Sequence, residues 1–172
     1  MDAIITVRTG STRLPSKCFL DLHEGLNSLD MIIGRLLFSN NRFDNIIIAT
    51  TDLKEDDKIE EYINKIKAKK EIITTRLASY EDLSMLSVYR GSVLNKFVRW
   101  SGALKQFNIE KAVFIDADDP IFDPDLVAFE YAMLSSHDYV TPDLTNAYLG
   151  SHGFAFNSNV VHECAELTRN KD

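Results

Sequence analysis

The chain predicts an α/β fold with a mainly parallel sheet and helices on both faces. Three observations lead there. Short apolar runs alternate with longer segments of helical periodicity. The runs are continuously apolar, as in strands buried on both faces, and parallel sheets bury both faces. At 172 residues the chain is one domain in length and can bury a sizeable core.

Asp2 to Val7 is the first expected strand, built on Ala3-Ile4-Ile5. Leu26 to Ser39 follows as a helix, with Leu29, Ile32, Ile33, Leu36 and Leu37 on one face and Ser28 as its N-cap. Asn45 to Thr50 is the second strand, and Asp56 to Lys67 an amphipathic helix burying Ile59, Tyr62, Ile63 and Ile66. Glu71 to Thr75 reads as a third strand. Arg76 to Ser92 is the least regular stretch, a loop or short helix over the site. Val93 to Phe107 is expected as a helix burying Leu94, Phe97, Val98, Ala103 and Leu104, with Trp100 in the core or at a subunit contact. Lys111 to Asp116 is the fourth strand. Pro124 suits the first turn of the next helix, capped by Asp123. Asp138 to Thr141 and Gly153 to Asn157 complete the strands, and Asn159 to Thr168 is the last helix.

Composition narrows the function classes. A net charge of -7 argues against a general nucleic-acid binder, which needs a basic face. The run Lys65-Ile66-Lys67-Ala68-Lys69-Lys70 reads as the solvated end of a helix, favourable at its negative pole. No apolar stretch approaches the ~20 residues needed to span a bilayer, and no secretory signal is visible, so a cytoplasmic protein is expected. Cys18 and Cys164 lack any metal-ligand spacing and read as reduced packing residues. His23, His137, His152 and His162 are scattered and read as surface or structural residues; Ser151-His152-Gly153 alone is placed to line an acceptor site.

Two segments carry chemistry. The first strand runs into Arg8-Thr9-Gly10-Ser11-Thr12-Arg13-Leu14-Pro15-Ser16-Lys17. Gly10 allows close backbone approach to an anion, and Ser11, Thr12 and their neighbours supply donors to phosphate oxygens. Arg8, Arg13 and Lys17 supply charge. The competing reading is a solvated basic loop. The fourth strand ends in Asp116-Ala117-Asp118-Asp119-Pro120, whose carboxylates repel one another unless a cation is present. Magnesium uses one or two carboxylates and completes its shell with water and phosphate oxygens. The competing reading is a solvated turn that caps a helix. Both segments follow strands, so both should open on the sheet edge where ligands bind. A magnesium–nucleoside triphosphate fits between them.

The opening, Ala3 to Leu22, resembles that of the cytidylyltransferase family of the spore-coat polysaccharide type, related to the acylneuraminate and ketodeoxyoctonate cytidylyltransferases. Arg8 to Lys17 matches each fixed position of that family's Arg-x-Gly-Ser-Thr-Arg-Leu-Pro-x-Lys loop. Ile47 to Asp52, Tyr89-Arg90-Gly91-Ser92, Val93-Leu94 and Phe114 to Pro124 resemble further family segments in the same order. The resemblance implies a three-layer, Rossmann-like nucleotidyltransferase fold of the glycosyltransferase-A kind. It implies an enzyme that transfers CMP from CTP to a sugar acid, sugar phosphate or phosphonate, releasing pyrophosphate, in polysaccharide or surface-glycan biosynthesis. Arg8, Ser11, Arg13 and Lys17 would hold the triphosphate, Arg13 and Lys17 acting on its departing charge. Asp118 stands at the family's magnesium position, and Asp52 and Arg90 near its nucleoside pocket.

The family's Thr-Gly-Asp-Cys is here Asp116-Ala117-Asp118-Asp119, and the acidic residues usual before Val-Leu are missing. Relatives continue past the equivalent of Asp172, so 1–172 is expected as a single domain without the family's C-terminal portion. The alternative reading is a catalytically weak nucleotide-binding or regulatory module completed by a partner. A third is a nucleotidyltransferase for another base or a sugar 1-phosphate. The expected partners are a nucleoside triphosphate and a small anionic acceptor. Relatives are often dimers, and the residues leave a homodimer open.

Overall fold

The computed structural model describes residues 1–10, 14–69, 83–143, 145–146, 148 and 150–169. Among them, one sheet is formed by β1 (Asp2–Thr6), β2 (Asn45–Thr51), β3 (Leu86–Gly91), β4 (Lys111–Asp116), β5 (Tyr139–Val140) and β6 (Phe154–Asn157). The spatial order is β3-β2-β1-β4-β6-β5. The first four strands of that order run parallel, whereas β6 is antiparallel to both β4 and β5.

Helices cover both faces, which makes three layers. Ala3 and Ile5 of β1 face α1 (Ser28–Phe38), α2 (Asp57–Lys69) and α4 (Pro124–Met133), whose Leu29, Ile33, Ile59, Ile63 and Val127 join them in one core. Ile4 faces the opposite way, with Ile47 and Phe114, toward Trp100 and Leu104 of α3 (Lys96–Gln106) and Val161 of α5 (Ser158–Thr168). Adjacent residues of a strand point to opposite faces, so two buried faces require an unbroken apolar run. Trp100 is a core residue: its ring packs on Phe114 at 4.3 Å and its Nε1 donates to Thr6 Oγ1 at 2.8 Å. Gly102 of α3 sits against Tyr89, where an added Cβ would lie 1.8 Å from the phenolic oxygen. Cys18 and Cys164 are free thiols.

Several sequence expectations need correction. Asn27, not Ser28, caps α1: its side chain accepts from Asp30 N, and Asp30 accepts from Asn27 N in return. That reciprocal box satisfies two otherwise unpaired donors, leaving Ser28 free to donate to Ala117 O. The segment Leu86–Gly91, expected within a loop or short helix, is strand β3 on β2. It is only half-buried and mixes Ser87 and Arg90 with its apolar residues, so its strand signal is weak. Helix α3 starts at Lys96, because Asn95 accepts from Val98 N and ends the preceding turn. Leu94 therefore falls outside the helix and is 78% exposed. The expected strand at 71–75 lies outside the described residues. Pro124 and its Asp123 cap are as expected, with Asp123 Oδ1 accepting from Asp125 N at 2.9 Å. No helix among the described residues is long and apolar enough to cross a membrane.

Candidate active site

Strands β1 and β4 run side by side in parallel, with Thr6 in register with Asp116. The segments that follow them therefore leave the sheet together. Between them opens a cavity of about 410 Å³. Arg8, Gly10 and Lys17 line it from the first loop, and Asp116 and Asp118 from the turn after β4. Lys96 and Arg99 of α3 close its other side, with Leu94 at the margin. A second cavity of similar size lies near residues 36–44. Its charged lining residues, Arg42 and Asp44, pair with each other, and Asp44 also holds the N-terminal amine.

The loop after β1 is held from beneath. Asp56 is buried at the end of a short turn, Lys54–Asp56. It accepts from Thr9 N at 2.7 Å, from Thr9 Oγ1 at 2.6 Å and from the Thr51 hydroxyl. Burial is the largest single influence on Asp56 and opposes its ionisation, but the hydrogen bonds from Thr51 and Thr9 together hold its pKa below the ordinary value. Ser16 N donates to Thr9 O at 2.9 Å and closes the loop, with Ser16 in the left-handed region at φ 54. Lys58 Nζ donates to Ser16 Oγ at 2.8 Å. At Gly10 an added Cβ would lie 2.5 Å from Glu55 Oε1, the mobile end of a side chain.

Across the cavity Lys17 donates to Asp118 Oδ2, joining the cationic loop to the acidic turn. Burial again opposes ionisation of Asp118, but the bond and charge of Lys17 hold its carboxyl below the ordinary range. Asp119 goes the other way: burial, then the charges of Asp118 and Asp116, raise it. Lys96 Nζ grips Asp116 through both carboxylate oxygens, at 2.7 and 2.9 Å, and lies 4.7 Å above the Trp100 ring. Burial pushes the Cys18 thiol up to about 11, so this cavity residue stays protonated and is no nucleophile.

Of the residues singled out from sequence, the structure brings Arg8, Gly10, Lys17 and Asp118 to one cavity. Ser11, Thr12 and Arg13 lie outside the described residues. Arg90 is drawn away: it donates to Asp57 Oδ1 at 2.5 Å, to Leu53 O at 2.8 Å and to Thr51 O at 3.2 Å. It thereby staples β3 to the segment that carries Asp56. Asp52 is exposed at the end of β2, its N–H on Gly91 O at 3.0 Å, and does not line the cavity. His152 is buried and does not line it either; its Nδ1 lies 3.0 Å from Gly153 O.

Sequence reasoning missed Asp56, Lys96 and Arg99. For the last two a signal appears once the helix start is set at Lys96 by the Asn95 cap. They occupy the first turn of α3, where no acidic residue accompanies them. Cations there oppose the helix macrodipole.

The family model described as "Cytidylyltransferase" matches residues 3–167. The chain is 31% identical over 179 residues to the spore coat polysaccharide biosynthesis protein SpsF of Bacillus subtilis, covering 98% of this chain and 64% of that protein. It is 31% identical over 157 residues to an uncharacterized protein of Methanocaldococcus jannaschii, covering 90% of this chain and 56% of that protein. The chain thus spans less than two thirds of the length of these relatives. A solved cytidylyltransferase from Leptospira borgpetersenii superposes with a TM-score of 0.77 at 24% identity, over 96% of this chain and 63% of that one. A CMP:2-keto-3-deoxy-manno-octonic acid synthetase complexed with CTP superposes with a TM-score of 0.64 at 14% identity, over 96% and 77%. At these identities the two solved structures show the fold.

Proposed function

The chain belongs to the cytidylyltransferase family, and from that premise we propose that it transfers CMP from CTP to a small anionic acceptor and releases pyrophosphate. The observation that carries this reading is the meeting of Lys17 and Asp118 across one cavity, 101 residues apart in the chain. One side offers cations for phosphate oxygens and the other a carboxylate for a divalent cation. SpsF is named for spore coat polysaccharide biosynthesis, which favours a sugar acid, sugar phosphate or phosphonate as acceptor.

In the reaction an acceptor oxygen attacks the α-phosphorus in line. The new O–P bond forms as the bond from the α-phosphorus to the bridging oxygen breaks, and pyrophosphate leaves with the electron pair. An acceptor that is already a phosphate or phosphonate has no proton to lose. Arg8 and Lys17, with Ser11, Thr12 and Arg13 of the same loop, hold the triphosphate and balance charge on the departing group. Gly10 lets the backbone come close.

The acidic turn fits magnesium. It offers hard oxygen ligands, Asp118 is held ionised, and Asp118 and Asp116 raise Asp119 by repulsion that a cation would relieve. Among the described residues no group of three or more His, Cys, Asp or Glu side chains forms a metal cage. Asp118 would then hold the ion by one carboxylate, leaving other positions to phosphate oxygens and water. When bound, the ion would supply charge stabilisation for the phosphoryl group being transferred.

Pyrophosphate release from CTP, UTP, GTP and ATP, with and without magnesium and across sugar acids, sugar phosphates and phosphonates, tests the proposal. Magnesium-dependent turnover of CTP in preference to the others is expected. No turnover and no CTP-induced thermal shift would remove it. CTP binding without turnover would favour a nucleotide-binding module completed by a partner.

A further inference from the structure

Among the described residues Arg99 is a buried cation without a counter-ion. Only 4% of its surface is exposed. Its Nη1 donates to Ser92 O at 2.6 Å, whereas its buried Nε has no hydrogen-bond partner. Among the described residues no carboxylate lies within ion-pairing distance of it. Burial is the main influence disfavouring its charge, and Arg8 adds repulsion; Asp56, Asp116 and Asp52 offset this from beyond contact range. A guanidinium cannot escape the cost by losing its proton.

Its place in α3 adds to that cost. Lys96 and Arg99 both stand in the first turn, at the positive end of the helix dipole. Lys96 is neutralised by Asp116, and no described carboxylate does the same for Arg99. Burying an unpaired charge is among the most expensive things a fold can do, and an apolar side chain of similar volume would cost less. Arg99, Arg8 and Lys96 line the same cavity. An anion placed there would relieve the Arg8–Arg99 repulsion and sit favourably at the helix terminus.

We propose that Arg99, with Arg8, forms a seat for a phosphoryl group on the α3 wall of the cavity, in addition to the contacts made by the loop bearing Lys17. The inference rests on reading this cavity as the substrate site. The planar fork of Arg99 suits two oxygens of one phosphoryl group, a geometry that lysine does not reproduce. The group belongs either to the triphosphate or to a phosphorylated acceptor.

The test uses titration calorimetry of the full chain with inorganic pyrophosphate, inorganic phosphate and CTP, on wild type, Arg99→Gln and Arg99→Lys, with melting curves for each. Arg99→Gln should weaken pyrophosphate binding on the order of ten- to a hundredfold, the effect of losing charged hydrogen bonds. Arg99→Lys should recover only part of it. Without ligand, Arg99→Gln should melt no lower than wild type, since it removes an uncompensated buried charge. A parallel loss of CTP affinity assigns the seat to the triphosphate. Retained CTP affinity with weakened inorganic phosphate binding assigns it to the acceptor. Unchanged affinity for all three anions, with a lowered melting temperature in both variants, would overturn the proposal and leave Arg99 as a tie to Ser92. Arg99-dependent pyrophosphate binding with no preference for CTP over other nucleotides would keep the seat and remove the cytidylyl reading.

Discussion

Removing the Asp56 carboxylate asks whether the first loop is held in shape by one residue beneath it. Asp56→Ala deprives Thr9 N–H, Thr9 Oγ1 and the Thr51 hydroxyl of their acceptor. Thr9 and Thr51 are buried away from bulk solvent. The Thr9 hydroxyl keeps Glu55 O at 3.2 Å, which leaves two donors orphaned. At about 1–3 kcal/mol for each orphaned buried donor, the loss should be about 2–6 kcal/mol. Asp56→Asn keeps one acceptor oxygen and should lose about 1–2 kcal/mol. Urea unfolding reads the difference as a shift in midpoint at constant slope. Because the folded pKa of Asp56 lies below its ordinary value, the ionised carboxylate stabilises the fold above the unfolded pKa of about 3.9. That stabilisation is lost as the pH falls through the lowered folded value. The gap between wild type and Asp56→Asn should therefore close on acidification. Asp56→Ala within about 0.5 kcal/mol of wild type at neutral pH, or a gap that widens in acid, would refute the account.

The site residues give sharper tests of function. Lys17→Ala and Arg13→Ala should each weaken CTP binding by about 1.5–3 kcal/mol, measured by calorimetry, with the partial exposure of Lys17 favouring the lower end. Asp118→Asn should leave the circular dichroism spectrum unchanged and abolish the magnesium dependence of CTP binding; a retained metal response would move the metal site elsewhere. Trp100→Ala should cost about 3–5 kcal/mol by urea unfolding, since it empties the core on the α3 face. Burial pushes the Glu130 carboxyl up to about 7, and neither of its oxygens has a hydrogen-bond partner among the described residues. Its folded pKa exceeds its unfolded one, so wild type should lose stability between about pH 4 and pH 7. Glu130→Gln should flatten that decline, and an unchanged stability–pH curve would show that Glu130 is not the group responsible.

The legible parts of this fold are those whose reasons are local. Ile46 to Ala49 and Ala112 to Ile115 bury both faces, so their apolar runs announce strands with no tertiary knowledge. Strand β3 has thinner evidence, because Arg90 and Ser87 are partly exposed and only pairing with β2 defines it. The cationic loop and acidic turn were legible as partners for a topological reason: segments leaving adjacent parallel strands must share an edge. Arg90 entered by resemblance and not by that reasoning; in the structure it pairs with Asp57 and does not line this cavity. Asp56 was hidden for a different cause. In sequence it opens an amphipathic helix, an ordinary place for an acid, and only the fold brings Thr9 onto it, 47 residues away. Arg99 lies between these cases. Its burial could not be read from the chain, but a first turn holding Lys96 and Arg99 and no acid contradicts the helix dipole. A local rule broken without local compensation implies that the compensation comes from elsewhere. For Lys96 it comes from Asp116; for Arg99 the described carboxylates act only from beyond contact range, which leaves room for the anion proposed above.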